Sequence, residues 1–225
     1  GWLGKENVAP RVILTEGGSM TDIYVYNQLT KDNNGNIKVD QNGNLGITSS
    51  NTPVKVGNLD ADFNLGWTNH FNYKGIDLGI VLSARVGGLA YSATQGILDY
   101  YGVSESSATA RDNGGIPINN GKVDAQKYYQ AIGTGEGGYG RYYLYSATNV
   151  RLQELSLNYT LPKRWFKNVA NITLGVVGRN LWMIYCKAPF DPELSASTSS
   201  NYYMNVDYFM QPSLRNFGFN VKVQF

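Results

Sequence analysis

The 225-residue chain contains one cysteine, Cys186, and one histidine, His70. The first excludes an internal disulfide and a cysteine-built metal cluster, and the second excludes a multi-histidine metal site. Charge is also sparse, at 16% of residues against ~25% in an average globular domain. Nineteen basic and seventeen acidic residues leave a formal charge of +2. That balance, spread along the chain, gives no electrostatic footprint for nucleic acid. No stretch approaches the ~18 consecutive apolar residues of a membrane helix. The N-terminus, Gly1-Trp2-Leu3-Gly4-Lys5, lacks the layout of a signal peptide. No glycine-rich nucleotide loop follows a strand and opens a helix. A β-barrel survives these exclusions, because its alternating strands leave no long apolar run.

What is abundant is glycine (26) and tyrosine (17), residues suited to turns and amphipathic sheets more than to helices. Period-two alternation follows. Phe63, Leu65, Trp67, Asn69, Phe71 and Tyr73 share one phase, and Asp62, Asn64, Gly66, Thr68, His70 and Asn72 the other. Such a pattern predicts a strand with one apolar and one wet face. After the hairpin turn Lys74-Gly75, Ile76 to Val86 repeats it, with Asp77, Gly79, Ser83 and Arg85 in the polar phase. A third strand is predicted over Asn149 to Leu161, where a slip at Gln153-Glu154 predicts a β-bulge. A fourth covers Ala170 to Tyr185 and a fifth Arg215 to Phe225.

These segments run about 11 to 16 residues, longer than the ~5–6 of soluble strands and sufficient for a tilted membrane strand. Their connections alternate: two residues, then about sixty, then about eight, then about thirty. Short periplasmic turns and long external loops have this rhythm. Lys74-Gly75 and Pro162 to Asn168 are then periplasmic, as is Phe225. Tyr73, Tyr159, Trp182, Tyr185 and Phe225 stand near strand ends, as interfacial girdles require. The fold class is therefore all-β, an antiparallel transmembrane barrel segment with long extracellular loops. A soluble β-sandwich is the alternative left open by alternation alone.

Residues 1 to 61 carry weaker signals. Arg11 to Leu14 and Ile23 to Tyr26 suggest short strands, and Asp32-Asn33-Asn34-Gly35-Asn36 only loosely resembles a calcium loop. Ile37 stands where such a loop needs glycine and Gly43 where it needs glutamate, so a hairpin turn is expected. Between Gly87 and Ala147, Ser92 to Tyr101 reads as a short helix. Loops this long are seldom idle. Tyr100, Tyr101, Arg111, Tyr142 and Tyr143 are candidates for contact with a solute or partner, since tyrosine offers a flat apolar face and a hydroxyl; equally, the tyrosines could fold the loop onto itself. Asn64, His70, Arg85 and Arg179 are candidates for the wet, lumen-facing side. Arg85 and Arg179 could bind anionic groups or pair with strand carboxylates such as Asp77. Catalytic, cofactor and metal sites are not expected, and the protein is not expected to be an enzyme.

The sequence resembles the C-terminal end of the SusC/RagA family of TonB-dependent outer-membrane transporters from Bacteroidetes. The matching pieces are Val56-Gly57-Asn58 before Asp62-Phe63-Asn64-Leu65-Gly66-Trp67, then Phe71-Asn72-Tyr73-Lys74-Gly75-Ile76-Asp77-Leu78, Asp99-Tyr100-Tyr101-Gly102-Val103-Ser104 and Ala110-Arg111-Asp112-Asn113-Gly114-Gly115. Ala147 to Leu157, Gly178-Arg179-Asn180-Leu181, Ala188-Pro189-Phe190-Asp191-Pro192-Glu193, Tyr208 to Pro212 and the closing strand complete them.

The resemblance implies a piece of a 22-strand barrel that encloses a plug, is energised through TonB, and works under a SusD-like surface lipoprotein to import oligosaccharides or peptides. It also implies that the aromatic last strand, with Phe217, Phe219 and Phe225, is the barrel-assembly signal. Plug, signal peptide and TonB-contacting segment are absent from residues 1–225, so TonB would act through a missing N-terminal region. So few strands cannot close such a barrel, and an open edge in lipid leaves backbone groups unpaired. The remainder of the barrel is expected from the same or another chain, with lipid and lipopolysaccharide around it. The rival is a small autonomous outer-membrane barrel with an adhesin or structural role; a hydrolase built on His70 stands third.

Overall fold

The computed structural model describes residues 9–135, 137–167, 169–194 and 205–224. They form two compact units, one of residues 61–87, 147–167, 169–191 and 211–224, the other of 9–60, 88–135, 137–146, 192–194 and 205–210.

The first unit is a five-stranded antiparallel sheet of β1 (Phe63–Tyr73), β2 (Ile76–Val86), β3 (Asn149–Thr160), β4 (Asn171–Cys186) and β5 (Asn216–Gln224), paired in simple chain order. Each predicted strand is present to within one or two residues. Phe225 lies outside the described residues. Lys74 and Gly75 both take positive φ, 49° and 84°, the conformation that matches a two-residue hairpin to the twist of its strands. The turn between β3 and β4 contains a 3₁₀ helix, Lys163–Phe166, closed by Lys167 in the left-handed region.

The expected bulge is observed. On β3, Leu152 faces Leu82 of β2 and Trp182 of β4, while Glu154 faces Val81 and Arg179, so Gln153 has no partner in either register. Asn180 and Leu181 bulge on β4 opposite it, with Asn180 at φ 53°. This two-residue excursion preserves parity on β4. Even-numbered Leu174, Val176, Trp182 and Ile184 therefore keep one side and Thr173, Gly175 and Arg179 the other.

Exposure along β3 settles the environment of the sheet. Leu155, Leu157 and Tyr159 are exposed, whereas Glu154, Ser156 and Asn158 between them are partly covered. A sandwich strand would bury its apolar phase against a second sheet. Here the apolar phase continues across all five strands, in rows such as Phe71–Leu78–Leu157–Val176–Phe219. Phe217 and Phe219 are 79% and 70% exposed. A continuous apolar face of this extent requires a nonaqueous neighbour, and strand length fits a bilayer. The eleven residues of β1 span about 33 Å, or about 25 Å in height at the usual tilt.

The second unit is built from the segments before β1, between β2 and β3, and between β4 and β5. Three eight-residue helices, α1 (Ala93–Tyr100), α2 (Glu105–Asp112) and α3 (Ala125–Ile132), are each capped by a side chain. Ser92 Oγ accepts from Gln95 N at 3.0 Å and donates to Asp207 Oδ2 at 2.6 Å, fixing the start of α1 to the strand Val206–Asp207. Leu89–Ser92 pairs antiparallel with Leu144–Ser146 and parallel with Val206–Asp207. Tyr91, Tyr129, Ile132, Tyr143 and Val206 belong to the core.

Sequence reading of this unit was incomplete. The helix expected at 92–101 is present, but α2, α3 and the twelve-residue strand Ile47–Asn58 were not anticipated. That strand pairs with Asp22–Leu29 across an irregularity, Val25 facing Val54 and Asn27 facing Ser49, which disrupts its alternation around Pro53.

The polar excursion folds as two similar turns in place of a calcium loop. Asp32 Oδ1 accepts from Asn34 N and Asn36 N at 2.8 and 2.9 Å, and Asp40 Oδ1 accepts from Asn42 N and Asn44 N at 2.8 and 2.7 Å. Donation from the Asn36 backbone to Asp32, and from the Asn44 backbone to Asp40, lowers both carboxyls below the ordinary 3.8. A depressed folded-state value makes this stabilisation complete above pH 3.8 and lost as pH falls through the lower folded values. Amide protection over residues 31–46, corrected for intrinsic exchange, is expected to hold at neutral pH and collapse below that range. Loss of protection between pH 6 and 5 would contradict it.

Candidate functional site

Two surfaces carry the polar chemistry: the inward phase of the sheet and a cleft in the helical unit. On the sheet, register aligns residues into rows. Asn72, Asp77, Asn158, Gly175 and Asn220 form one; His70, Gly79, Ser156, Val177 and Gly218 the next; Thr68, Val81, Glu154, Arg179 and Asn216 a third; and Asn64, Arg85, Asn149 and Cys186 lie further along.

Glycines make room within these rows. A Cβ at Gly79 would stand 2.5 Å from Ser156 Oγ and 3.0 Å from His70 Cε1, so the imidazole lies across the glycine. At Gly175 it would meet Asn158 Oδ1 and Asn220 Nδ2 at 2.1 and 2.5 Å. Small residues here leave side-chain amides and the imidazole space to lie along the sheet. His70 Nδ1 is 3.7 Å from Asp77 Oδ1, and Asn158 Nδ2 is 3.5 Å from the same oxygen.

All four lumen candidates occupy the polar phase, at three heights, with Asn64 and Arg85 sharing one. The structure corrects one pairing: Asp77 approaches His70, while Arg85 lies eight positions further along β2, level with Asn64 and Asn149. Arg179 does pair, its Nε donating to Glu154 Oε2 at 2.7 Å. The rows favour hydrogen bonding to a polar, uncharged body, with cations dispersed along the wall.

Sequence reading missed the most elaborate polar network. Arg151 Nη2 donates to Asp191 Oδ1 at 2.7 Å, and Arg151 Nη1 donates to Asn180 Oδ1 at 3.2 Å. Asn180 Nδ2 donates to Ser213 Oγ at 2.8 Å, and Ser213 Oγ returns a bond to Asp191 Oδ2. The closed ring joins β3, the β4 bulge, the segment after β4 and the segment before β5. Arg151 and Asp191 side chains are only 4% and 8% exposed. The bulge was legible; its role as a bracket for two distant segments depends on pairing across the sheet.

In the helical unit, Asp99, Tyr100, Tyr101, Arg111, Gln126 and Tyr129 line a cleft of about 450 Å³, within the range of small-ligand sites. The Tyr100 and Tyr101 rings meet edge to face at 5.1 Å, and Tyr101 is exposed. Arg111 Nη1 donates to Gly102 O at 2.8 Å, which holds the guanidinium beside the tyrosines. Asp99 Oδ1 accepts from Gln95 Nε2 at 2.8 Å, from Ser106 Oγ at 3.0 Å and from Ser104 Oγ, locking α1 to the start of α2.

Tyr100, Tyr101 and Arg111 are therefore brought together. Tyr142 and Tyr143 are not. Tyr142 accepts from Leu29 N through its hydroxyl, and Tyr143 is buried in the core, where desolvation and then the Asp99 charge push its phenol far upward. Tyr143 is corrected from a contact residue to a packing residue: its ring lies against Gly138, where a Cβ would meet it at 2.0 Å. Tyr91, whose hydroxyl donates to Gly138 O at 2.7 Å, is likewise raised by burial, to about 12. The cleft residues on α3 were missed, although Asp124 followed by Ala125, Tyr129 and Ile132 carries a cap and helical spacing.

Comparison with known proteins extends this picture. No protein-family profile matches the chain. It is 26% identical over 201 residues to TonB-dependent receptor P3 of Formosa agariphila, covering 86% of this chain and 19% of that protein. In fold it is similar to the RagAB peptide transporter, with a TM-score of 0.56 and 18% identity over 90% of this chain and 22% of that one. The RagAB peptide importer in its open-open state gives a TM-score of 0.61 with 17% identity, at the same two coverages. The chain thus spans a minor part of the length of the proteins it matches.

Proposed function

We propose that this SusC/RagA-type TonB-dependent transporter segment forms the C-terminal part of the barrel wall of an outer-membrane nutrient importer. The observation that carries the reading is the outward apolar phase of five long strands whose large connections all leave from one end. Asn64, His70, Arg85 and Arg179 line the solute's path on the opposite phase, and the cleft at Tyr100, Tyr101 and Arg111 makes an external contact. The solute is an oligosaccharide or peptide, for which stacking tyrosines and amide-rich walls are suited. A SusD-like lipoprotein closes the external side, and TonB acts through a region outside this chain. The remaining wall comes from further strands, in the same polypeptide or another, set in lipid and lipopolysaccharide. Phe217, Phe219 and Phe225 serve as the assembly signal in the closing strand.

The test uses the whole protein in its own cells. Deleting it should abolish uptake of a cognate oligosaccharide or peptide, and deleting TonB should do the same. Unchanged uptake of every such solute would remove the reading. Within that assay, Tyr101→Ala is expected to lower uptake several-fold at subsaturating solute, with the amount of protein in the outer membrane unchanged. Uptake equal to the parent's would exclude the cleft from solute contact.

A further inference from the structure

The end of the sheet where β1 turns into β2 and β3 into β4 carries a feature that import leaves unexplained. The turn joining β3 to β4, Leu161-Pro162-Lys163-Arg164-Trp165-Phe166-Lys167-Asn168-Val169-Ala170, contains three cations and no carboxylate. Lys163, Arg164 and Lys167 are all exposed. So are its apolar residues Trp165 and Val169, at 62% and 66%. The turn between β1 and β2 lies alongside, since Thr160 N donates to Gly75 O at 2.8 Å. It adds a fourth cation, Lys74, whose Nζ sits 5.1 Å from the centroid of the Tyr73 ring.

That contact fixes the side on which Lys74 lies. Tyr73 belongs to the apolar, outward phase of β1 and ends the row Tyr73–Ile76–Tyr159–Leu174–Val221. Lys74 is therefore at the outer edge of the sheet, beside an interfacial aromatic. The β3–β4 turn next to it leaves Trp165 and Val169 exposed among its cations. Aromatics at headgroup level with cations beside them match the boundary between hydrocarbon and phosphate.

We infer that Lys74, Lys163, Arg164, Lys167 and Trp165 form a binding site for anionic phospholipid headgroups of the inner leaflet of the outer membrane. Charge complementarity selects this occupant: the ammonium and guanidinium groups pair with phosphate, Trp165 sits among the upper acyl carbons, and no carboxylate in the β3–β4 turn competes. Each cation at such a surface raises lipid association roughly fivefold. The site rests on the barrel orientation proposed above and goes beyond it, because transport itself does not require a preference among lipids.

The test is native mass spectrometry of the whole protein, released from bilayers holding phosphatidylglycerol and phosphatidylethanolamine at equal mole fraction. Phosphatidylglycerol should be retained several-fold over phosphatidylethanolamine. In K163Q/R164Q/K167Q that preference should be lost, with the two lipids retained equally, while K163R/K167R keeps it. Heat-modifiable gel mobility verifies that each variant is folded, and solute uptake should be unchanged in all of them. Equal retention of the two lipids by the parent, or an unaltered preference in the triple glutamine variant, overturns the site. Lost uptake with an unaltered preference assigns the cations to a protein contact and overturns it too. Failure of the parent to enter bilayers ends the barrel reading itself, a distinct result.

Discussion

Leu155→Arg is expected to destabilise the folded protein in lipid by about 2–4 kcal/mol, whereas Thr68→Arg at a similar depth should cost less than about 1 kcal/mol. Leu155 faces Ile80 and Gly178 in an outward row near the middle of the apolar band. Thr68 faces Val81 in the opposite phase, in the row that contains Glu154 and Arg179. A guanidinium at the first position must be desolvated by hydrocarbon or dragged to an interface, and at the second it remains in water near Glu154. Guanidinium unfolding of the whole protein in lipid vesicles, read by tryptophan fluorescence, gives both numbers. Equal costs, or a larger cost at Thr68, would mean that the faces are assigned the wrong way round.

Arg151→Met should be comparably severe, at about 3–5 kcal/mol, for a different reason. Arg151 and Asp191 are both nearly inaccessible, so removing the guanidinium strands a buried carboxylate and also opens the ring through Asn180 and Ser213. The double variant Arg151→Met, Asp191→Leu should recover much of the loss, because it removes the stranded charge along with its partner. The same vesicle unfolding assay measures the cycle. A loss below about 1 kcal/mol for Arg151→Met, or no recovery in the double variant, would show that the bracket is solvated and does not hold its segments.

Both outcomes turn on how sequence was converted into structure. Along the sheet, alternation carried the information. Phe63 to Tyr73 and Ile76 to Val86 state their two faces residue by residue, and the phase slip at Gln153-Glu154 marks the bulge, because side-chain direction on a strand has a period of two and needs no distant partner to define it. The helical unit is different. Its helices have eight residues each, too short for a periodic signal to rise above local composition. Tyr142 and Tyr143 looked as available as Tyr101 because tyrosine serves a core and a binding surface equally well.

The sequence by itself determined the strands, their two faces and the end from which the long connections leave, since periodicity and spacing are local properties of the chain. Only the tertiary structure decided that the apolar phase of β3 is its exposed one and that Arg151 is bracketed by Asp191. It also decided that Tyr143 is buried while Tyr101 is open, and that four cations of two separate turns share one rim. Each of these depends on which residues lie across a strand pair or a helix contact. Such neighbours are far apart in the chain, and no spacing rule along it brings them together.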